Sequence, residues 1–237
     1  MPLTTWTTET QVLGRSVEGR DIPWTWYGAA PQPGQPLETL MIGVFHGDEG
    51  IAGELLLRLQ QALELLAGQN DPALAGIKLP FAILPVFNPD GLARLTRQNA
   101  NGVDLNRNYP TNNWVKENEG EIYFSGNAAA SEPETRIMIE ILEKHPPAKI
   151  ITVHSPYKVI NWDGPAEALA QRMSALSGYP AVADIGYPTP GSFGTYVGTE
   201  RRIPTITLEL PEDEPLADVW ADNREALLAA LAWECPA

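Results

Sequence analysis

The sequence predicts an α/β fold, a single domain in which a largely parallel or mixed sheet is layered with helices. Segments rich in β-branched and apolar residues alternate along the chain with segments of helical periodicity. Several of the strand-like segments are almost wholly apolar, as central strands covered on both faces are. The 237 residues, 43% of them hydrophobic, are enough for one core of ordinary size.

In chain order, strands are expected at Ile22–Tyr27, Leu40–Phe45, Phe81–Phe87, Ile150–Val153 and Pro204–Leu210, each bounded by turn-forming residues. Gly50–Leu66 reads as a helix because Leu55, Leu56, Leu59, Leu63 and Leu66 fall on one broad stripe. A second helix is placed from Ser131, with Ser131 as its cap, Pro133 in the first turn, and Glu132 and Glu134 toward the positive end of the helix dipole. Two more are expected at Pro165–Leu176 and Pro215–Trp233. Asn88 to Gly126 is long, polar and weakly periodic, and a loop of that length in a compact domain is usually functional.

The formal charge of −14, with only 16 Lys and Arg, argues against nucleic acid as the main partner. It serves solubility, yet a pocket where a few arginines converge would still take an anionic substrate. Met1 to Ser16 is polar and lacks the apolar run of a signal peptide, and no stretch reaches the roughly 18 apolar residues of a membrane span. Cys235 is the one cysteine, so no disulfide forms within the chain. The expectation is a cytoplasmic domain without a membrane or nucleic-acid partner; its oligomeric state is not readable.

His46-Gly47-Asp48-Glu49 directly follows the apolar segment Leu40–Phe45, and His154 follows Ile150–Val153. That puts two imidazoles and a carboxylate at the carboxyl ends of two strands, where open α/β sheets bind ligands. Either histidine alone would read as a cap or a core residue. Together with Glu49 they make a set suited to catalytic zinc with a position left for water, although ligand type alone admits other divalent cations. The third histidine, His145, falls at a helix end and reads as an exposed cap.

Beyond the turn Asn88-Pro89-Asp90-Gly91 come Arg97 and the pair Asn106-Arg107. A guanidinium fork beside an amide donor suits a substrate carboxylate, and Arg97 could face a carbonyl where negative charge develops. The alternative is that these arginines pair with the many acidic residues. Glu209 stands in the segment Pro204–Leu210, which is apolar except for its threonines and this one acid, and burying it needs either a salt bridge or a role such as general base.

In this order, His-x-x-Glu, Asn-Pro-Asp-Gly, Asn-Arg, a later His and a Glu in the last strand resemble the zinc carboxypeptidase family M14, from about Leu40 to Leu210. The resemblance implies a mixed, twisted sheet of about eight strands flanked by helices, and one Zn²⁺ held by His46, Glu49 and His154. It implies Glu209 as general base and Arg97 as the group that polarises the carbonyl. Asn106 and Arg107 would bind the terminal carboxylate, with Tyr187 over the substrate. The strings Gly102–Asn108, Ser131–Arg136, Gly186–Gly194 and Leu208–Pro211 more narrowly resemble bacterial family members that cut the γ-D-glutamyl–meso-diaminopimelate amide of murein tripeptide. Such a substrate would bring its carboxylates to Asn106, Arg107 and either Arg201 or Arg202, and its side-chain amine to Asp163 or Asp184. Other M14 carboxypeptidases, an N-acyl amino acid deacylase and a silent cell-wall-peptide binder are the rival readings.

Overall fold

A computed structural model describes residues 7–32 and 34–235. The rest of the 1–237 span assigned to one domain, including the first six of the polar residues 1–16, lies outside the described residues.

Eight strands form one mixed sheet in the order β1-β2-β4-β3-β5-β8-β6-β7. They are β1 (Thr8–Arg15), β2 (Asp21–Tyr27), β3 (Thr39–Ile42), β4 (Phe81–Leu84), β5 (Ile150–His154), β6 (Tyr157–Asp163), β7 (Ala181–Val182) and β8 (Thr205–Pro211). The four central strands, β4, β3, β5 and β8, run parallel, so their carboxyl ends share one edge. β2 joins β4 antiparallel, β1 joins β2 antiparallel, and β6 returns antiparallel against β8.

All five expected strands form. Three more were not foreseen. β1 is a mostly exposed edge strand with a polar, irregular pattern, β6 starts with an exposed tyrosine and a lysine, and β7 has two residues. β3 stops at Ile42, short of Phe45, because Val44 turns the chain at φ 49°, an uncommon backbone for a β-branched residue. That kink aims the following His46 off the end of the sheet.

The helices are α1 (Gly50–Gln69), α2 (Pro89–Arg94), α3 (Pro133–Lys144), α4 (Glu167–Ser177) and α5 (Leu216–Ala232). Successive strand residues face opposite sides. Met41, Ile83, Ile151 and Val153 pack with Leu55, Leu59 and Leu63 of α1, Met173 of α4 and Leu227 of α5. Leu40, Ile42, Leu84 and Ile150 pack on the other side with Trp24, Trp26 and α3 residues Met138 and Ile141. Each fully buried Leu or Ile contributes about 1.5–3 kcal/mol, so both faces stiffen the edge where the strands end.

Two local expectations change. Asn88-Pro89-Asp90-Gly91 is the start of a helix rather than a tight turn: the Asn88 side chain accepts the Gly91 N–H at 2.9 Å and Pro89 occupies the first position. Ser131 does not cap α3; its hydroxyl donates to Glu132 at 2.6 Å, and Glu132 stands at the cap position without a capping bond. His145 does follow the end of α3, but it is half-buried, its ring centroid 5.2 Å from that of Trp26. No helix among the described residues is long and apolar enough to cross a membrane.

Candidate metal and catalytic site

The carboxyl edge of the parallel strands gathers the site. His46 follows β3, and Glu49 begins the turn into α1. His154 ends β5, and its register partner on β8 is Glu209. The His46–Glu49 turn lies so close to α2 that a Cβ on Gly47 would stand 1.8 Å from the carbonyl carbon of Gly91, which only glycine avoids.

His46 Nδ1 is 2.6 Å from Glu49 Oε1, and His154 Nδ1 is 2.9 Å from Glu49 Oε2. All three residues are buried, and one ligand atom from each lies within 4.8 Å of the others. Whether these residues fit a metal is decided on the far side of His46. There Nε2 is 3.1 Å from Asp104 Oδ1, a carboxylate that would keep the proton on Nε2 and free the Nδ1 lone pair for a cation at the shared centre. Two imidazoles and a carboxylate presented in this way fit a catalytic divalent cation such as zinc. Burial opposes protonation of His46, but the flanking Glu49 and Asp104 carboxylates outweigh it and raise its pKa to about 9. Burial likewise opposes ionisation of Glu49 and Asp104, yet their histidine neighbours hold both well below the usual carboxylate range. The centre therefore gathers positive charge, from protons or from a cation.

Asp104 received no role from the sequence. It is fully buried, and besides facing His46 it accepts the Arg97 Nε–H at 2.9 Å and the Asn106 N–H at 2.9 Å. One carboxylate thus joins the metal set, Arg97 and the Asn106-Arg107 turn. A sequence signal existed: an acid between Val103 and Leu105, the same pattern that singled out Glu209.

Arg97, Asn106, Arg107, Tyr187 and Glu209 all line the cavity that opens on the metal set, with Tyr123, Asn161, Asp163, Ser192 and Thr207. Asn106 Oδ1 accepts the Phe193 N–H at 2.8 Å, which leaves its amide NH₂ as the free donor. Arg107 is buried and donates to the Asn106 carbonyl at 2.7 Å, with no carboxylate partner among the described residues. Glu209 is 6% exposed, and its Oε2 has no hydrogen-bond partner among the described residues. Burial raises its pKa, opposed by the nearby histidines. Tyr187 stands at the mouth, its ring centroid 6.4 Å from that of Tyr157. Burial and its hydrogen bond with Tyr157 push its pKa up to about 12.

Asp163 closes the inner wall. A Cβ on Gly194 would lie 2.3 Å from its Oδ2, so the absent side chain is what makes room for this carboxylate. Burial raises the pKa of Asp163, Thr199 is its hydrogen-bond partner, and no cation pairs with it among the described residues. The other three candidates are elsewhere. Arg201 lies over the Tyr196 ring at 3.4 Å and donates to the Tyr196 carbonyl, and Arg202 is exposed. Asp184 is exposed and caps the Gly186 N–H at 2.8 Å.

A sequence profile of the zinc carboxypeptidase family, peptidase M14, matches residues 6–166. The chain belongs to the zinc carboxypeptidase family. It is 33% identical over 217 residues to murein peptide amidase A of Escherichia coli K12, an alignment that covers 85% of this chain and 81% of that one. It is 34% identical over 168 residues to murein peptide amidase A of Vibrio campbellii, covering 61% of this chain and 66% of the relative. The crystal structure of murein-tripeptide amidase MpaA from Escherichia coli O157 superposes with a TM-score of 0.74 at 26% identity, covering 99% of this chain and all of that one. Carboxypeptidase A from Helicoverpa armigera shares the fold, with a TM-score of 0.76 at 20% identity over 95% of this chain and 68% of that one.

Proposed function

We propose that this zinc carboxypeptidase-family hydrolase cleaves the amide between γ-D-glutamate and meso-diaminopimelate in murein tripeptide, with one Zn²⁺ held by His46, Glu49 and His154. The observation that carries the reading is a pair of charged groups lining one cavity: Arg107, a buried guanidinium with no carboxylate in ion-pair contact among the described residues, and Asp163, a carboxylate with no cation in contact among them. A residue that ends a peptide with a carboxylate and also bears a side-chain amine matches both. Thr207, which lines the same cavity and whose hydroxyl accepts from Thr152, keeps its own O–H as a neutral donor for the second carboxylate of diaminopimelate.

A zinc ion in this set supplies Lewis-acid polarisation of the carbonyl and lowers the pKa of a water toward about 7. The protein's own groups do the rest. Asn106 and Arg107 hold the terminal carboxylate, the guanidinium offering two parallel N–H bonds. Arg97, oriented by Asp104, donates to the scissile carbonyl oxygen as charge grows there. Glu209 takes a proton from the attacking water and delivers it to the departing amine as the C–N bond breaks, and its free Oε2 and burial support that role. Tyr187 covers the bound residue from the mouth.

The test is a substrate panel on purified zinc-loaded protein, read by mass spectrometry of the released amino acid. L-Ala-γ-D-Glu-meso-diaminopimelate should be cut at least about 100-fold more efficiently than ordinary L-peptides or N-acyl amino acids, a margin for a site built around polar groups. Preference for an ordinary L-peptide or an N-acyl amino acid would move the protein to another M14 activity. Binding of tripeptide without any cleavage would leave a recognition module.

A further inference from the structure

Tyr123 sits on the long polar segment between Asn88 and Gly126, lines the cavity, and is 47% exposed, so core packing does not explain its place. The guanidinium carbons of both Arg97 and Arg107 lie over its ring, 5.1 and 5.3 Å from the centroid. We infer that Tyr123 is a positioning residue, one aromatic ring that holds the carbonyl-facing and carboxylate-facing arginines at their working separation. This rests on the function proposed above.

The chemistry favours an aromatic partner here. Two like charges share one cavity and repel, and a ring within about 6 Å attracts a guanidinium through its quadrupole. A carboxylate in the same place would bind Arg107 more tightly, but a substrate carboxylate would then have to displace it. The ring attracts the guanidinium without accepting its N–H bonds in the way a carboxylate would, so those donors stay available. Arg97 is already tied to Asp104, whereas Arg107 has only the ring and the Asn106 carbonyl, so Arg107 depends on Tyr123 more.

The ring is itself held in place by the segments that carry the two arginines. The amide of Gln98, next to Arg97, donates to the carbonyls of Glu121 and Ile122 at 3.0 and 3.1 Å. The Asp104 N–H, three residues before Arg107, donates to the Phe124 carbonyl at 2.8 Å, and the Phe124 side chain is buried. The backbone on both sides of Tyr123 is therefore tied to the residues that flank the two arginines, and the loop carries the ring as a spacer between them.

The experiment compares Tyr123→Leu, which keeps bulk without a ring face, with Tyr123→Phe, which keeps the face without the hydroxyl. The first readout needs no substrate: the side-chain Nε–Hε resonances of Arg97 and Arg107 in the zinc-loaded protein. Both should be shifted by the ring in the wild type and in Tyr123→Phe, and the shifts should vanish in Tyr123→Leu. With tripeptide, Tyr123→Leu should lower kcat/KM on the order of tenfold or more, mainly through KM, and Tyr123→Phe should stay within about threefold. Unchanged arginine resonances and KM in Tyr123→Leu, with an unaltered Tm, would overturn the inference. So would a Phe variant as impaired as the Leu variant, because the hydroxyl would then be the working group. If even the wild type leaves tripeptide uncut, the function reading falls, and the resonances still decide the role of the ring.

Discussion

Replacing Asp104 by Asn keeps the shape of the side chain and removes its charge at the point where three site elements meet. Asp104 Oδ1 faces His46 Nε2 and also accepts the Asn106 N–H, while Oδ2 accepts the Arg97 Nε–H. An amide offers one acceptor and one donor group. If its oxygen keeps the His46 side, its NH₂ meets the Arg97 N–H donor against donor; if it turns over, His46 loses the acceptor that fixes its tautomer. Asp104 is fully buried, so no solvent compensates. One charge-assisted bond lost costs about 1.5–3 kcal/mol. Loss of a ligand's outer partner typically weakens metal binding or activity by about 10–100-fold. Zinc affinity, measured by competition with a chromophoric chelator, should therefore fall by about 10–100-fold. With zinc restored to saturation, kcat/KM should remain depressed by about tenfold through Arg97. An Asp104→Asn protein that binds zinc and turns over tripeptide within about threefold of wild type would refute the assignment of Asp104 to both groups.

Glu209→Gln should retain zinc and lose about 10²–10⁴-fold in kcat. Burial raises the Glu209 pKa above its usual 4.5. A group whose folded pKa is raised adds stability below its unfolded pKa that is lost as pH climbs through the folded one. Zinc-free Glu209→Gln should accordingly match or exceed the wild-type Tm at pH 7. A zinc-loaded Glu209→Gln protein with near-normal kcat would contradict the base assignment. Gly194 has φ −57°, which alanine adopts freely, yet the new Cβ would stand 2.3 Å from Asp163 Oδ2. Gly194→Ala should therefore keep the fold, by circular dichroism and Tm, and lose roughly tenfold or more in kcat/KM for the tripeptide through KM. Arg107→Lys retains the charge and loses the planar fork, so KM should rise by about 10–100-fold with kcat less affected; an unchanged KM would remove Arg107 from carboxylate binding.

The grouping of His46, Glu49 and His154 was legible in the sequence because these residues follow apolar strands, where an imidazole or carboxylate has no packing reason to be. Glu209 stood out for the same reason. Asp104 has the same kind of apolar flanks, but its partners His46 and Arg97 are joined to it only by folding, and nothing local announces them. Tyr123 lies in a segment without periodicity, and its value comes from two guanidinium groups that the folding of that same segment brings to it. For the diaminopimelate amine the sequence offered Asp163 and Asp184 equally; the space left by Gly194 and Gly198 is what lets Asp163 be the buried acid, while Asp184 is exposed. Arg201 and Arg202 follow the π-helical turn Thr195–Thr199, and Arg201 folds back onto Tyr196, a register no sequence pattern signals. Among the strands, β1, β6 and β7 escaped because edge strands carry polar or very short patterns, whereas the buried parallel strands read as continuous apolar runs.

The central claim is that His46, Glu49 and His154 hold a zinc ion on which hydrolysis of the γ-D-glutamyl–diaminopimelate bond depends. Its most direct test is to strip the purified protein with a chelator, restore zinc stepwise, and follow bound metal and diaminopimelate release from murein tripeptide in the same samples. The account predicts no turnover without metal and a linear rise to a plateau at one zinc per chain, with no recovery in a His46→Ala, His154→Ala protein. Turnover that survives chelation, or that the double variant retains, would contradict it.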